Sequence, residues 1–373
     1  MSDNSAPVLS VIHVLRTPVG GLFRHVCDLA KMQSEAGHQV GIFCDSKTGG
    51  ENATHILKQL QPHCSLGIHR LPISRLPGVS DWSAIRHLRK ALDQMSPDIL
   101  HGHGAKGGAY ARILGHSVNA RAFYTPHGGS LHYKTGSLLG FIFFRLESLL
   151  SRRTDGIIFE CAFSQAAYRR KIGNPSCPMR IIHNGINDGD FQPRQLDDKA
   201  SDFVFIGELR HLKGIDILLN ALAILRQKGL QCSCTIVGEG PDASDFKKTA
   251  NRLDLKDCIK FAGFQPASTG FSLGRHLVIP SRAESFPYII LEGAAANLPI
   301  ITTRVGGIAE IFGEQASLLV SPDNEKDLAT ALEFALKNPA EMKARADILH
   351  QRVKKRFKAS TMAVATIDFY RSA

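Results

Sequence analysis

The chain has 373 residues, of which 43% are hydrophobic and 21% are charged. This length predicts two compact domains, and this composition excludes a disordered or fibrous protein. The net charge of +11 lies mainly in residues 1–190, with 21 basic against 13 acidic residues, which favours an anionic partner there or simply aids solubility.

The sequence predicts neither a secretory signal nor a membrane-spanning helix. It begins with Met-Ser-Asp-Asn, without the basic start and apolar run of a signal peptide. The longest apolar run, 138–144, is far shorter than the roughly 20 residues that span a bilayer. The eight cysteines lack a metal-ligand spacing and are expected to be free thiols. We therefore expect a cytoplasmic protein.

In the first half, short β-rich runs alternate with helical patterns. This alternation predicts a parallel sheet with helices on both faces. The predicted strands are 8–15, 40–44, 68–71, 99–101, 122–125, 156–159 and 179–183.

The second half repeats this alternation after a polar stretch that follows Asn184-Gly185. Its predicted strands are 203–206, 234–237, 259–261, 277–279, 300–302 and 318–320. The sequence from Lys326 onward is predicted to be helical. We therefore expect an α/β protein with doubly wound domains at 1–190 and 191–358, a cleft between them, and a C-terminal helix at 359–373 that packs on the N-terminal domain.

Two glycine motifs in the first half follow predicted strands. Gly20-Gly21 opens a helical pattern, where its backbone could approach an anion or a sugar, although a tight turn explains it equally well. Residues 102–107 match the dinucleotide pattern Gly-x-Gly-x-x-Gly. A ribose-binding acid is expected about 20 residues later, but none occurs between Asp98 and Glu147. We therefore predict no nicotinamide or flavin site.

His127 follows another strand, in Thr125-Pro126-His127-Gly128-Gly129. We expect its imidazole at a loop tip in the cleft rather than in a core, where it could bond a substrate hydroxyl. The other histidines, including His101 and His103, have no recognisable metal spacing. They are interpreted as structural or solvated.

The second half of the chain contains two cations and two carboxylates that could bind a ligand. Arg210 and Lys213 follow a strand, where they could neutralise a diphosphate or simply form a solvated turn. Glu284 and Glu292 are eight residues apart, which places both on nearly one face if a single helix carries them. A ribose diol would be a suitable partner for Glu292, which lies in an apolar helix.

These motifs together resemble glycosyltransferase family 4, whose members have the GT-B architecture of two facing Rossmann-like domains. The resemblance covers nearly the whole chain. It rests on Gly20-Gly21, Pro126-His127-Gly128, His183-Asn184-Gly185-Ile186, Gly207 with Lys213-Gly214, Val237-Gly238-Glu239-Gly240-Pro241, Glu284 with Glu292, and Arg304-Val305-Gly306-Gly307.

The resemblance implies retaining transfer of a hexosyl group from a UDP- or GDP-sugar to a sugar or a lipid-linked acceptor. Neither a cofactor nor a catalytic metal is expected; Asp188-Gly189-Asp190 matches a metal motif of the other glycosyltransferase architecture and is taken as coincidence. The main catalytic effect would be stabilisation of the leaving diphosphate.

Residue roles follow from the same resemblance. Arg210 and Lys213 would hold the diphosphate and Glu292 the ribose, while Glu284 and His127 would contact the transferred sugar. Those expected to be catalytic are His127, Glu284, Arg210 and Lys213. Those expected to bind the donor are Gly20, Gly21, Gly207, Arg210, Lys213, Gly238, Phe286, Pro287, Tyr288 and Glu292. Many relatives have Gly at Pro287, whose nitrogen donates no hydrogen bond.

Two questions stay open at the level of sequence. A sugar-nucleotide epimerase of the same fold is the alternative activity, and it would need no acceptor. The segment 137–153 is apolar and carries Arg145, Arg152 and Arg153, so it could contact the inner face of a membrane or form an ordinary core helix. Bacterial surface polysaccharide or glycolipid synthesis is the expected setting, and nucleic acid is not an expected partner.

Overall fold

The structure is a computed structural model and describes residues 7–75, 78–132, 136–192 and 194–373. Residues 1–6, on which the expectation about a secretory signal partly depends, lie outside the described residues. The chain divides into two compact units, unit 1 (Met1–Gly185 and Ala359–Ala373) and unit 2 (Ile186–Lys358). The division falls a few residues before the predicted boundary, and the C-terminal segment belongs to unit 1.

Buried, β-branched runs form the strands of both units. Those of unit 1 are β1 Ser10–Leu15, β2 Gln39–Asp45, β3 Ile68–Leu71, β4 Ile99–His103, β5 Arg121–Thr125, β6 Gly156–Phe159 and β7 Met179–Ile181. Those of unit 2 are β8 Ser201–Ile206, β9 Cys234–Val237, β10 Ile259–Gly263, β11 Gly274–Ile279 and β12 Ile300–Thr302.

Helices separate the strands. Along the first half they are α1 Gly20–Glu35, α2 Gly50–Leu60, α3 Ser80–Met95, α4 Gly104–Leu114, α5 Leu138–Ser151 and α6 Ala162–Lys171. Along the second half they are α7 Ile215–Gln227, α8 Ala243–Arg252, α9 Ala267–Gly270, α10 Tyr288–Ala295, α11 Ile308–Phe312, α12 Glu325–Lys337, α13 Pro339–Arg356 and α14 Ala359–Ser372.

Each unit has one parallel sheet with a reversal of strand order. The sheet of unit 1 runs β3-β2-β1-β4-β5-β6-β7, and that of unit 2 runs β10-β9-β8-β11-β12. The order reverses between β1 and β4, and again between β8 and β11. In such sheets ligands bind beyond the carboxyl ends of the strands at the reversal, so these two edges are where the motifs must lie to act.

One predicted strand is wrong. Residues 318–320 form no strand, because a 3-10 turn occupies Gly313–Leu318 and leaves only Val320 to bridge Thr303 at the sheet edge.

The helix α14 completes the core of unit 1. Its side chains Met362, Phe369 and Tyr370 are buried in one cluster with Leu29 of α1 and Phe123 of β5. The periodic apolar face of this helix thus covers the sheet of unit 1. The eight cysteines are free, and within the described chain no helix is both long and apolar enough to cross a bilayer.

Candidate active site

In unit 2, the loop after β8 is locked to the loop after β9. Gly207 donates its N–H to the carbonyl of Val237 at 3.0 Å, and Leu209 donates to the carbonyl of Glu239 at 2.9 Å. Gly238 has φ +140°, and a Cβ there would lie 1.9 Å from the Gly207 carbonyl oxygen. Only glycine therefore allows the two loops this close approach, which fixes the path of the chain towards Lys213.

Lys213 and Glu284 meet at the reversal point of this sheet. The Lys213 Nζ donates to Glu284 Oε1 at 2.7 Å, and the Ser281 hydroxyl donates to the same oxygen at 2.7 Å. The Lys213 side chain is 27% exposed and the Glu284 side chain is 10% exposed. A cation and a carboxylate from the loops after β8 and β11 thus share one partly open position.

The Arg210 side chain has a different carboxylate partner. Its guanidinium is 3.6 Å from the Glu208 carboxylate, and both side chains are about half exposed. The structure therefore gives the Arg210 guanidinium the solvent access that a phosphate ligand needs, while the Arg210 carbonyl accepts a hydrogen bond from the Lys213 backbone N–H at 2.8 Å.

Arg282 is a positioning residue that the sequence analysis missed. It forms a bidentate ion pair with Asp216 at 2.8 and 2.7 Å and contacts Asp323 at 2.5 Å. Its backbone N–H and a guanidinium N–H bond the carbonyls of Leu212 and His211, which holds the short turn that ends at Lys213. The hydrogen bonds that Arg282 donates to Asp216 raise the pKa of Arg282 further above its ordinary value. No spacing rule links a loop arginine to an aspartate in the first turn of α7, so no signal in the sequence could have found it.

The expectation that one helix carries Glu284 and Glu292 is wrong. The helix α10 begins at Tyr288, with Pro287 at its N-cap, so Glu284 lies in the preceding loop. Proline disfavours helical backbone in the residue before it, which explains why no helix forms through Phe286. Glu292 is half-buried within α10, and the two carboxylates are positioned independently.

Gly306 holds the Glu284 loop in place. Its φ is +56°, and a Cβ there would lie 1.9 Å from the Glu284 carbonyl oxygen. The next residue, Gly307, donates its N–H to the Ser285 carbonyl at 2.7 Å. The loop after β12 therefore packs backbone to backbone against the loop that carries Glu284.

The side chains of Phe286 and Tyr288 do not face an open site. Phe286 is 2% exposed and Tyr288 is 5% exposed, and the Phe286 ring packs against Phe357 at 5.4 Å. Because Pro287 has no N–H, a donor could meet this segment mainly through the backbone amides at the start of α10. The expected donor-binding roles of these three residues are thereby limited to their backbone.

In unit 1, Gly20 and Gly21 begin α1 at the reversal point between β1 and β4. Both residues are exposed, and Gly20 has φ +67°. The N-cap of α1, Val19, makes no side-chain cap hydrogen bond, and the first turn contains no acid. The amides at this helix end are therefore available to an anion.

The glycines at 102–107 serve packing. A Cβ on Gly107 would lie 2.2 Å from the Val14 carbonyl oxygen, and one on Gly102 would lie 2.5 Å from the carbonyl of Gly107. The helix α4 therefore lies so close to β1 and β4 that only glycine fits at Gly102 and Gly107. Packing alone explains these glycines, and no bound dinucleotide is needed to account for them.

His127 is neither solitary nor exposed, contrary to the sequence-based expectation. Its side chain is 5% exposed, and its backbone has φ +49° in the loop after β5. Its Nδ1 bonds Glu160 Oε1 at 2.6 Å, and its Nε2 bonds the Nδ1 of His103 at 3.0 Å. The His127 side chain is buried because it lies against His103 of β4, which bonds one of its ring nitrogens.

His127 belongs to a cluster of five buried or nearly buried histidines. The other members are His13, His25, His101 and His103. Burial lowers the pKa of His13 to about 4 and that of His25 to about 3, and it also holds the pKa values of His101 and His103 well below the ordinary range. These histidines are thus buried rather than solvated, and they form one connected group.

The ring nitrogens of this cluster are close enough to raise the question of a metal. Two trios, His13 with His101 and His103, and His25 with His103 and His127, have nitrogens within 4.8 Å of one another. Nitrogens on one tetrahedral zinc ion, bound at about 2.0–2.1 Å, lie roughly 3.4 Å apart. The ring nitrogens of His13 and His103, and those of His103 and His127, are only 3.0 Å apart. This shorter distance fits direct hydrogen bonds between the rings better than shared coordination of one zinc ion.

Comparison with known proteins identifies the family. The model described as "Glycosyl transferases group 1" matches residues 187–355, and that described as "Glycosyltransferase Family 4" matches residues 19–189. Glycogen synthase from Mycobacterium tuberculosis is 26% identical over 95% of this chain and 92% of its own. The gpi3 subunit of phosphatidylinositol N-acetylglucosaminyltransferase from Schizosaccharomyces pombe is 22% identical over 95% of this chain and 78% of its own.

A solved structure agrees with this assignment at the level of the fold. The Anabaena protein Alr3699/HepE, solved in complex with UDP-glucose, has a TM-score of 0.81 at 17% identity, over 98% of this chain and all of its own. The predicted α/β class with two Rossmann-like units is confirmed. The chain therefore belongs to glycosyltransferase family 4, among the group 1 glycosyltransferases with the GT-B fold.

Proposed function

We propose that this glycosyltransferase transfers a hexosyl group from a UDP-sugar to a membrane-associated acceptor with retention of configuration. The contact between Lys213 and Glu284 at 2.7 Å is the observation that carries the proposal. A cation and a carboxylate meet there at the sheet edge where ligands bind in this kind of fold, which supports assigning Lys213 to the diphosphate and Glu284 to the sugar. The UDP-glucose in the Anabaena relative supports a uridine donor.

Each side chain then has a separate task. Lys213, together with the exposed Arg210, neutralises the charge that develops on the leaving diphosphate. Glu284 accepts a hydrogen bond from a sugar hydroxyl, and Glu292 accepts from the ribose. The amides at the start of α1, at Gly20 and Gly21, contribute further donors for an anionic group. The leaving phosphate itself deprotonates the acceptor on the face from which it departs. Because Lys213 and Arg210 supply the positive charge, the proposal includes no catalytic metal.

Donor and acceptor assays test this proposal. A ligand that binds only the folded protein raises its apparent melting temperature, so UDP should raise the Tm more than GDP or ADP does. Incubation with the UDP-sugar and an acceptor should yield a glycoside of retained configuration. An epimerised sugar nucleotide formed without acceptor would refute transfer, and full activity of both Glu292→Ala and Lys213→Ala would refute the site.

The acceptor is assigned to a membrane because α5 exposes an unusually apolar face. Leu138 is 77% exposed, Leu139 58%, Phe141 63% and Leu149 59%. The opposite side of this helix is buried in unit 1, where Glu147 accepts hydrogen bonds from Arg112 and Tyr124. An ordinary core helix would bury its large apolar side chains, so the exposed face needs another partner.

Charge favours an anionic bilayer as that partner. Arg145, Arg152 and Arg153 are all exposed on or directly after α5, whereas the acidic Glu147 points into unit 1 and is 4% exposed. An apolar face bordered by arginines is typical of helices that lie in the interface of anionic membranes. We therefore propose peripheral attachment to the cytoplasmic face of a membrane, and the phosphatidylinositol-modifying relative from Schizosaccharomyces pombe is consistent with a lipid-linked acceptor.

Vesicle sedimentation distinguishes a membrane contact of α5 from dimerisation through the same face. The wild type should sediment with vesicles of phosphatidylglycerol and phosphatidylcholine, and less so in high salt. Phe141→Ser with Leu149→Ser should weaken binding by at least about 10-fold, since each buried side chain contributes about 1.5–3 kcal/mol. Val364→Ser, which changes a residue that is 59% exposed on α14, is the matched control. Equal sedimentation of both variants, or a dimer that only the α5 variant dissociates, would refute membrane attachment.

A further inference from the structure

Two arginines without a direct partner lie at the carboxyl edge of the sheet of unit 1. Arg16 comes directly after β1 and is partly buried, and Arg75 comes shortly after β3 and is exposed. Neither guanidinium forms an ion pair or a hydrogen bond with a residue that the structure describes. The two positive charges are therefore open to a ligand.

Hydrogen bonds carry the segment after β3 across this edge. The Ile73 N–H donates to Asp45 Oδ1, at the end of β2, at 2.8 Å. Lys106, in the first turn of α4, donates to the Ser74 carbonyl at 2.6 Å. The segment thus runs from the end of β2 past the end of β1 to the start of α4, and it places Arg75 where the strand order reverses.

The two guanidinium groups are close enough to affect each other. The Asp45 N–H donates to the Arg16 carbonyl at 2.9 Å, which ties Arg16 to the same part of the edge. Burial and the positive charge of Arg75 lower the pKa of Arg16. Because like charges repel, a fold that gathers them without a paired carboxylate gains from an anion between them.

The carboxylates nearby are already engaged. Asp45 is 1% exposed, and its two oxygens accept hydrogen bonds from a backbone N–H and from a hydroxyl of its own loop, so it offsets the charge of Arg16 only in part. Asp81 is paired with Lys106 at 2.8 Å. A ligand that approaches the two arginines therefore meets positive charge rather than a competing acid.

The start of α1 adds hydrogen-bond donors beside the arginines. The amides at Gly20 and Gly21 have no side-chain cap, and α1 lies against α4 here, since a Cβ on Gly104 would be 3.1 Å from Leu22 Cδ1. The Thr17 hydroxyl, in the same loop, is buried and has no partner among the described residues. Guanidinium groups and the amides at a helix start are the donors that phosphate oxygens prefer.

We propose that Arg16 and Arg75 bind a phosphate group of the acceptor. Two guanidinium forks can share the three terminal oxygens of one phosphate, whereas a carboxylate offers only two oxygens. The site is built by unit 1 alone, whereas Lys213 and Arg210 belong to unit 2. That the phosphate belongs to an acceptor rests on the proposed function; the anion site itself does not.

Calorimetric titration of methyl phosphate into the full-length protein, saturated with UDP, tests the anion site. UDP fills the proposed donor site, so methyl phosphate reports on the other. Arg16→Gln and Arg75→Gln should each weaken its binding by about 10-fold or more, the usual effect of losing a charge-assisted hydrogen bond. Arg89→Gln, which changes an exposed arginine of α3, is the matched control. Unchanged binding in both variants, or equally tight binding of acetate, would overturn the proposal.

Melting temperatures separate binding from folding. Arg16→Gln removes one of two like charges and no direct partner, so its Tm should equal or exceed that of the wild type. A lower Tm would show that Arg16 serves the fold and would overturn the proposal. Weaker binding to anionic vesicles with unchanged binding of methyl phosphate would do the same, because the arginines would then only attract a membrane.

Two phosphate esters distinguish the sources of the phosphate. Binding of dihexanoyl phosphatidic acid that is tighter than that of glycerol 3-phosphate, and equally dependent on Arg16, would identify a lipid-linked acceptor. Equal binding would identify a soluble one. Binding of neither ester would overturn the proposal.

Donor measurements keep this inference apart from the proposed function. Lys213→Ala should weaken UDP and leave methyl phosphate unchanged, while Arg16→Gln should raise the KM for the acceptor by about 10-fold and leave that for the UDP-sugar unchanged. Displacement of UDP by methyl phosphate would assign the arginines to the donor and overturn the proposal. If UDP does not bind but methyl phosphate still depends on Arg16 and Arg75, the proposed function fails and the anion site stands.

Discussion

Replacing Lys213 by alanine should remove activity without removing the fold. The pair with Glu284 joins side chains that are 27% and 10% exposed, so solvent screens it and its loss costs about 1 kcal/mol of unfolding free energy. In the reaction the same ammonium faces charge that develops only in the transition state. Removing one such preorganised donor costs about 100- to 1,000-fold in kcat, which corresponds to about 3–4 kcal/mol. The effect on the barrier should therefore clearly exceed the effect on stability.

Release of UDP from a UDP-sugar, measured with acceptor present, gives kcat, and urea unfolding gives the stability. Lys228→Ala is the matched control, because Lys228 also pairs with a carboxylate at 2.7 Å, that of Glu333, in unit 2. The control should lose similar or less stability and retain full activity. If Lys213→Ala keeps kcat within about twofold, or if its entire loss of activity follows from unfolding, the assignment of Lys213 to the diphosphate is refuted.

Three further predictions concern stability and the loop that carries Glu284. Arg112→Met leaves the buried carboxylate of Glu147 without its cation at 2.8 Å, so urea unfolding should show a loss of about 3–5 kcal/mol, which a second change, Glu147→Leu, largely restores; no recovery would contradict the ion-pair reasoning. Burial lowers the pKa of His25 to about 3, so the unfolded state alone binds this proton below about pH 6.5. This ring by itself should lower the unfolding free energy by about 1.4 kcal/mol per pH unit down to about pH 3, in addition to what the other buried histidines contribute. His25→Leu should flatten this slope, and an unchanged slope would contradict it. Gly306→Ala places a Cβ 1.9 Å from the carbonyl oxygen of Glu284 and strains a left-handed backbone by about 1–2 kcal/mol, so the KM for the donor should rise; an unchanged KM would show that the loop does not position the carboxylate.

The placement of Lys213 and Glu284 could be predicted from sequence because local rules govern it. Strand runs followed by glycine-rich turns locate the loops after β8 and β11, and the reversal of strand order brings Lys213 and Glu284 together. The start of α10 was also encoded, since proline disfavours helix in the residue before it. Treating the spacing from Glu284 to Glu292 as helical overlooked Pro287.

The histidine cluster could not be predicted in this way. His13 and His103 are far apart in sequence and meet only through the register of β1 and β4, which pairs His13 with His101. Alternation within a strand shows that these residues share a face but not which ring nitrogen bonds which partner. The same holds for Arg282, whose ion pair with Asp216 depends on how α7 leaves its preceding turn.

The position of α14 has a consequence for how the protein can fold during synthesis. Residues 359–373 follow unit 2 in the chain, yet Met362 and Phe369 belong to the core of unit 1, and Tyr370 bonds the buried His101. A ribosome therefore releases the whole of unit 2 before the core of unit 1 can close. Unit 1 must wait with an uncovered apolar surface between Leu29 and Phe123, which makes the emerging chain a client for chaperones that bind such surfaces.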